Sequence, residues 1–336
     1  TLMADGIITP PISVSSAVEG LGGVKAFEGI IEPGNATTMT VVIVILSLLF
    51  FFQRFGTRIV GFAFGPIMFV WFSMLLVLGL AGISGMPHVL QSLSPWYAYQ
   101  LLVEYPDGFW ILGAVFLCTT GAEALYSDLG HCGRRNIQAS WVFVKIALVI
   151  NYMGQGAWVL NHAGAKLNGV NPFYALMPGW FLLIGVIIAT VAAIIASQAL
   201  ISGSFTLISE AIQLNFWPRV RVKFPTLVRG QIYIPSVNWI LWAGCTAIML
   251  LLRQSANMEA AYGFFIVIAM LMTTTLIFGY LRFVRKWALW AVLPIMGLFF
   301  TVEGAYFIAN SAKIAERPWL VFSVLTIVVI MFVWYR

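Results

Sequence analysis

The sequence predicts an all-α, polytopic membrane protein. Long apolar runs recur along the whole chain, only 9% of residues are charged at a mean hydropathy of +0.95, and basic residues cluster in alternate loops between the runs. Soluble domains carry about 25% charged residues, so this chain has too little polar surface to face water all round. The net charge of +6 does not point to nucleic acid. The basic residues stand in small groups between apolar runs, where they act as topology signals. Cys118, Cys132 and Cys245 form no CxxC pair, and His131-Cys132 is the single His/Cys cluster. No disulfide framework, metal centre or cofactor is expected from so few ligands. Neither a GxxxxGK[ST] loop nor an HExxH helix is present, so any transport is secondary or passive, and nothing suggests an enzyme.

A helix crossing about 30 Å of hydrocarbon needs roughly 20 apolar residues. On that rule the chain holds a partial span at 1–18, then spans at 38–53, 59–84, 108–128, 136–161, 177–202, 232–252, 258–281, 287–310 and 318–335. It begins at Thr1 inside an apolar pattern and ends on Tyr335-Arg336 just after one, so it reads as a fragment of a longer protein. Alternating spans sort the loops into two sets. Arg54, Arg58, Arg134, Arg135, Arg219, Arg221, Lys223, Arg229, Arg282, Arg285, Lys286 and Arg336 fall on one side; Lys25, Lys166, Arg253, Lys313 and Arg317 fall on the other. The positive-inside rule makes the first set cytoplasmic. Loops 20–37 and 85–107 are then extracytoplasmic. In the loop 203–231, Ser204–Ile212 reads either as an amphipathic interfacial helix or as the end of the preceding span.

Ionisable groups inside a bilayer are costly and usually face a cavity or pathway. Asp5 opens the first run, followed by Thr9 and Ser13 at i+4 and i+8 on one helix face. Thirteen uncharged residues, 6–18, place Asp5 roughly 20 Å from the outer end. Pro10 and Pro11 lack N–H groups, which frees the carbonyls of Gly6 and Ile7. A carboxylate, two hydroxyls and two carbonyls are hard oxygen ligands that suit an alkali cation. The alternative is a proline-kinked helix whose Asp pairs with a base elsewhere.

Glu123 lies roughly 22 Å down the span that starts at Gly108, if that span is helical throughout. Thr119-Thr120-Gly121 is a point where the helix could open, as transporter helices do at midplane sites. A desolvated carboxyl there suits a proton carrier; the alternative is a neutral Glu bonded between helices. Asn151-Tyr152-Met153-Gly154-Gln155-Gly156-Ala157 is polar for a span; Gln155 could line a pathway, but close helix packing is the better explanation. Lys145 and Glu303 are lone charges expected in structural pairs or in exposure. Glu259 stands at a span edge. Tyr262 reads as an interface anchor.

These motifs resemble the Kup/HAK/KT potassium uptake permeases. The matching segments are DGIITPPISVSSAVEGL at 5–21, TGAEALYSDLGHCGRR at 120–135, NYMGQGAWVL at 151–160, NPFYALMPGW at 171–180, IIASQALISGSFTLISEAIQL at 194–214, GQIYIPSVNW at 230–239 and AAYGFF at 260–265. The family is similar to the amino acid–polyamine–organocation transporters, so the resemblance implies a LeuT-like five-plus-five inverted repeat. Residues 1–84 would be the remainder of the first repeat, family helices three to five; 108–281 the second repeat, six to ten; and 287–335 helices eleven and twelve. On this resemblance, family helices one and two, which complete the cation site, and the cytoplasmic C-terminal domain would lie outside this sequence.

The resemblance further implies that Asp5, Thr9, Ser13, Thr120 and Tyr262 contribute to a potassium site and that Glu123 couples protons. It raises Tyr262 above an anchor's role. The implied function is K⁺ uptake by K⁺/H⁺ symport with alternating access. Its partners would be K⁺, protons and membrane lipid, in a cell membrane, with a homodimer among the allowed assemblies. Two other functions stay open: a passive K⁺ channel, although no TVGYG filter is present, and an organic-solute carrier on the same fold.

Overall fold

A backbone in hydrocarbon must satisfy its own N–H and C=O groups, and within one segment only a helix does so. The computed structural model describes residues 2–24, 26–55, 58–120, 133–164, 170–224 and 232–314, with Val329 and Val333. These are helical apart from short connections and one antiparallel bridge between Lys223 and Tyr233. The helices are α1 (Leu2–Glu19), α2 (Ala36–Phe52), α3 (Arg58–Gly85), α4 (Pro95–Glu104), α5 (Gly108–Val115), α6 (Arg134–Asn161), α7 (Pro172–Ala175), α8 (Leu182–Gln213), α9 (Pro235–Leu252), α10 (Ser255–Gly279) and α11 (Leu289–Ile314). Six described helices are long and apolar enough to cross a membrane: α3, α6, α8, α9, α10 with its π-helical extension to Val284, and α11. Ala36–Phe52 and Gly108–Cys118 are shorter apolar helices. The expected span 318–335, apart from Val329 and Val333, and positions 121–128 of the span 108–128 lie outside the described residues.

The outward faces are apolar: Phe62 is 89% exposed, Trp290 81% and Leu276 74%. Water would penalise such surfaces, whereas lipid does not. The chain is therefore a multi-pass membrane protein.

At the centre, α1 packs against α2, α8, α9 and α10. Close approach explains its small residues. A Cβ on Gly6 would stand 2.5 Å from Ser204 Oγ of α8, and one on Gly20 would enter the Tyr174 ring. A second tight crossing joins α3 to α6. There a Cβ on Gly154 would lie 2.6 Å from Gly79 Cα, backbone against backbone, as in membrane crossings built on small residues.

Two expectations change. The span placed at 177–202 begins at Leu182 and runs unbroken to Gln213, 32 residues, or roughly 48 Å. Ser204–Ile212 is thus the end of that helix, with Ser204, Phe205 and Ile208 buried; Phe205 and Ile208 belong to the main apolar cluster. A surface helix would have left them wet. The loop 85–107 is also folded, as a 3-10 segment Pro87–Leu93 followed by α4. Exposed Trp96, Tyr97 and Tyr99 on α4 match the aromatic belt of a membrane interface.

Candidate functional site

The proline pair does not break α1, which stays helical from Leu2 to Glu19 through Pro10 and Pro11. The lost N–H groups leave carbonyls to be met from outside the helix. One is met by a neighbour: the Cys245 thiol of α9 donates to the Gly6 carbonyl at 3.7 Å. That carbonyl is already engaged, unlike the expected free ligand.

Below the prolines, Asp5 is 3% exposed. A carboxyl this deep needs hydrogen-bond partners, and the Thr9 hydroxyl one turn on donates to Asp5 Oδ1. A hydroxyl that donates to a carboxylate keeps its lone pairs, so both side chains can offer oxygen to a cation. One further turn along α1, Ser13 lines a cavity of about 500 Å³. Its walls come from α1, α3, α6, α8, the α7 region and α10, the last through Glu259. The helical repeat thus joins Asp5 and Thr9 directly and leads through Ser13 to a partly open, mostly apolar cavity in which Ser13, Asn151, Gln155 and Glu259 are among the polar lining residues.

The other expected site residues stand differently. Helix α5 tightens to a 3-10 turn at Phe116–Thr119, and Thr120 is extended at φ −84°, ψ 173°. The helix therefore ends where Thr119-Thr120-Gly121 suggested an opening. This removes the basis for the depth estimate of Glu123, which assumed a helix throughout; Glu123 itself lies outside the described residues. The Thr120 hydroxyl donates to the Leu117 carbonyl at 3.0 Å, again leaving oxygen lone pairs. Tyr262 packs against two apolar clusters, beside Phe116 and Phe265 among others, a more interior position than an interface anchor.

The lone charges also resolve. Lys145 is exposed, its ammonium 5.1 Å from the centre of the Trp141 ring. Glu303 is 6% exposed, and the Thr274 hydroxyl of α10 donates to its Oε1 at 2.7 Å. Gln155 lines the cavity, so the motif around it serves a site as well as packing: Gly154 makes the α3 crossing while Gln155 faces inward.

Sequence reasoning missed a clamp at the Glu19 end of α1. Ser255, at the start of α10, donates its hydroxyl to Glu19 Oε2 at 2.6 Å and its N–H to Oε1 at 3.2 Å; Ser15 adds its hydroxyl at 3.0 Å. The carboxylate both caps orphan donors of α10 and favours its dipole. Beside it the Tyr174 phenol donates to the Ser16 carbonyl at 3.2 Å. Burial, and secondarily the Glu19 charge, raise the Tyr174 phenol pKa above its ordinary value. Ser15 and Glu19 stand four apart on one helix face, which was legible; their partner on α10 was not.

A family model described as the K+ potassium transporter integral membrane domain matches residues 1–336. The chain is 51% identical over 341 residues to a probable potassium transport system protein Kup of Flavobacterium johnsoniae, covering 99% of this chain and 51% of that protein. A protein of the same description from Cytophaga hutchinsonii is 52% identical over 341 residues, covering 99% and 50%. One from Clostridium perfringens strain SM101 is 49% identical over 342 residues, covering 100% and 52%. The chain thus spans about half the length of these relatives. No solved structure matches. With the apolar helices, the acidic face of α1 and a match along its full length, this chain belongs to the potassium transporter integral membrane domain family.

Proposed function

We propose that this chain is the membrane core of a potassium uptake system. The observation that carries the reading is the buried Asp5–Thr9 pair, one turn from Ser13 at the cavity. It provides a carboxylate and hydroxyl oxygens without a basic side chain among the described cavity residues. The printed names of the relatives, potassium transport system proteins, support the same cargo. Thr120 and Tyr262 are proposed as further oxygen donors to K⁺.

In this reading K⁺ enters from outside and is taken up by alternating access in a cell membrane surrounded by lipid. Glu123 carries the co-transported proton, and each charge moved inward along the membrane potential adds about 2.3 kcal/mol per 100 mV. The fold would be a LeuT-like five-plus-five repeat, with 1–84 in the first half, 108–281 as the second and 287–335 appended. A cavity of about 500 Å³ could admit a small organic solute. An amino acid's carboxylate, however, would face Glu259 with no basic side chain among the described lining residues.

The test is complementation. Intact protein expressed in a bacterium lacking its own potassium uptake should restore growth at micromolar K⁺. Normal surface amounts without K⁺-dependent growth would reject the reading. Proton coupling is tested separately with Glu123→Gln, which should abolish K⁺-driven acidification; acidification equal to wild type would reject that role.

A further inference from the structure

We propose that Asn310 of α11 is a positioning residue for the cation donors: its side-chain oxygen, seated against Gly263 of α10, sets Tyr262 in register with the end of α5 that carries Thr120. This rests on the potassium uptake reading, in which Thr120 and Tyr262 give oxygen to K⁺, and it names what holds them in place.

Asn310 is 1% exposed, and its Oδ1 accepts no hydrogen bond. A buried amide oxygen without a donor costs free energy, so its place in the packing needs a reason. The orientation of the amide is fixed by Nδ2, which donates to the Tyr306 carbonyl one turn back at 2.9 Å. The opposite orientation would set two acceptors face to face. Oδ1 is thereby turned to Gly263, where a Cβ would stand only 2.5 Å from it. Glycine leaves room for the oxygen to meet a Cα–H, a weak contact that recurs between closely packed helices. A side chain at this position would push away either the amide or the helix.

The segments that carry the candidate donors meet at this notch. Gly263 directly follows Tyr262. The Leu117 side chain reaches to 3.5 Å from the same Cβ position, and the Leu117 carbonyl accepts the Thr120 hydroxyl. Within a turn of Asn310, α11 grips both flanks. Phe307 lies 5.6 Å from Phe264 of α10, and Tyr306 lies 5.0 Å from Phe116, ring centre to ring centre. Aromatic rings adhere over a range of offsets, so they hold the helices together without fixing their register. A polar atom in a glycine notch does fix it. A slip of one residue along the helix, about 1.5 Å, exceeds the roughly 0.5 Å within which a binding constellation must be held.

The experiment is Rb⁺ uptake by the intact transporter as a function of external Rb⁺, normalised to the amount of folded protein in the membrane. Asn310→Ser removes the oxygen from the notch while its hydroxyl can still bond the Tyr306 carbonyl four residues back. It should raise the half-saturating concentration about three- to tenfold, the range for a contact that acts through two neighbouring donors, with the maximal rate within about twofold. Gly263→Ala breaks the same contact from the other side and should act alike. The double substitution should then be no worse than the stronger single one. An unchanged half-saturation in Asn310→Ser, a loss confined to maximal rate or to folded amount, or fold-changes that multiply in the double substitution would overturn the proposal. If Gly263→Ala does not accumulate, Asn310→Ser decides alone. Failure of the underlying reading has a different signature: Thr120→Val and Tyr262→Phe would each keep wild-type half-saturation, or the wild type would take up no Rb⁺.

Discussion

Replacing Glu19 by Gln tests how the two helices that carry candidate site residues are held in register. Three donors converge on this carboxylate: the Ser255 hydroxyl at 2.6 Å, the Ser255 N–H at 3.2 Å and the Ser15 hydroxyl at 3.0 Å. An amide keeps one acceptor oxygen and turns an NH₂ towards at least one donor. Hydrogen bonds to a charged group contribute about 1.5–3 kcal/mol and neutral ones about 0.5–1.5 kcal/mol. Losing one bond and weakening two, at a half-exposed side chain, should cost about 2 kcal/mol. Taking about 2–4 °C per kcal/mol for a chain of this order of size, the unfolding midpoint should fall about 4–8 °C. The assay is a thermal series on detergent-solubilised intact protein, read as the surviving monodisperse fraction. Ser255→Ala alone and combined with Glu19→Gln closes a double-mutant cycle, with a coupling of about 1–2 kcal/mol expected. A midpoint within about 1 °C of wild type, with additive effects in the double mutant, would refute the clamp.

Three further outcomes follow from the geometry. Gly154→Leu places a side chain where even a Cβ would stand 2.6–2.7 Å from the Gly79 backbone; the α3–α6 crossing must open, and folded yield on size exclusion should drop at least about fivefold. Tyr174→Phe removes one hydrogen bond to the Ser16 carbonyl and should cost about 1 kcal/mol. The folded Tyr174 pKa is raised above the ordinary value of 10.0, so its contribution is complete below pH 10 and declines as the unfolded chain ionises above it. Wild type should therefore lose more stability than Tyr174→Phe between about pH 9.5 and 11, measured by thermal midpoint; parallel losses would contradict this. Glu303→Gln retains an acceptor for Thr274, and Rb⁺ uptake should remain within about twofold of wild type.

Much of the architecture was legible because hydrocarbon imposes long apolar segments. The i, i+4 spacing likewise put Asp5, Thr9 and Ser13 on one face before any packing was known. Other features depended on contacts between distant segments. The Gly6 carbonyl looked free from Pro10 alone, but its acceptor role is taken up by Cys245, 239 positions away. Ser204–Ile212 was ambiguous because its apolar face could meet lipid headgroups or protein; burial of Phe205 and Ile208 against the central cluster decides it. Gln155 could pack or line a pathway, and the α3–α6 crossing at Gly154 puts it at the cavity. Glu259 looked like a span-edge charge because nothing local marks a cavity assembled from six parts of the chain.

The central claim is that Asp5 holds the transported cation. Purified intact protein in liposomes, with a fixed inward potential, should take up Rb⁺ with saturable kinetics. Asp5→Asn, which removes the charge and keeps the shape, should raise half-saturation at least about thirtyfold or abolish uptake, as expected for a buried carboxylate–cation contact. Uptake by Asp5→Asn with wild-type half-saturation and maximal rate would contradict the account.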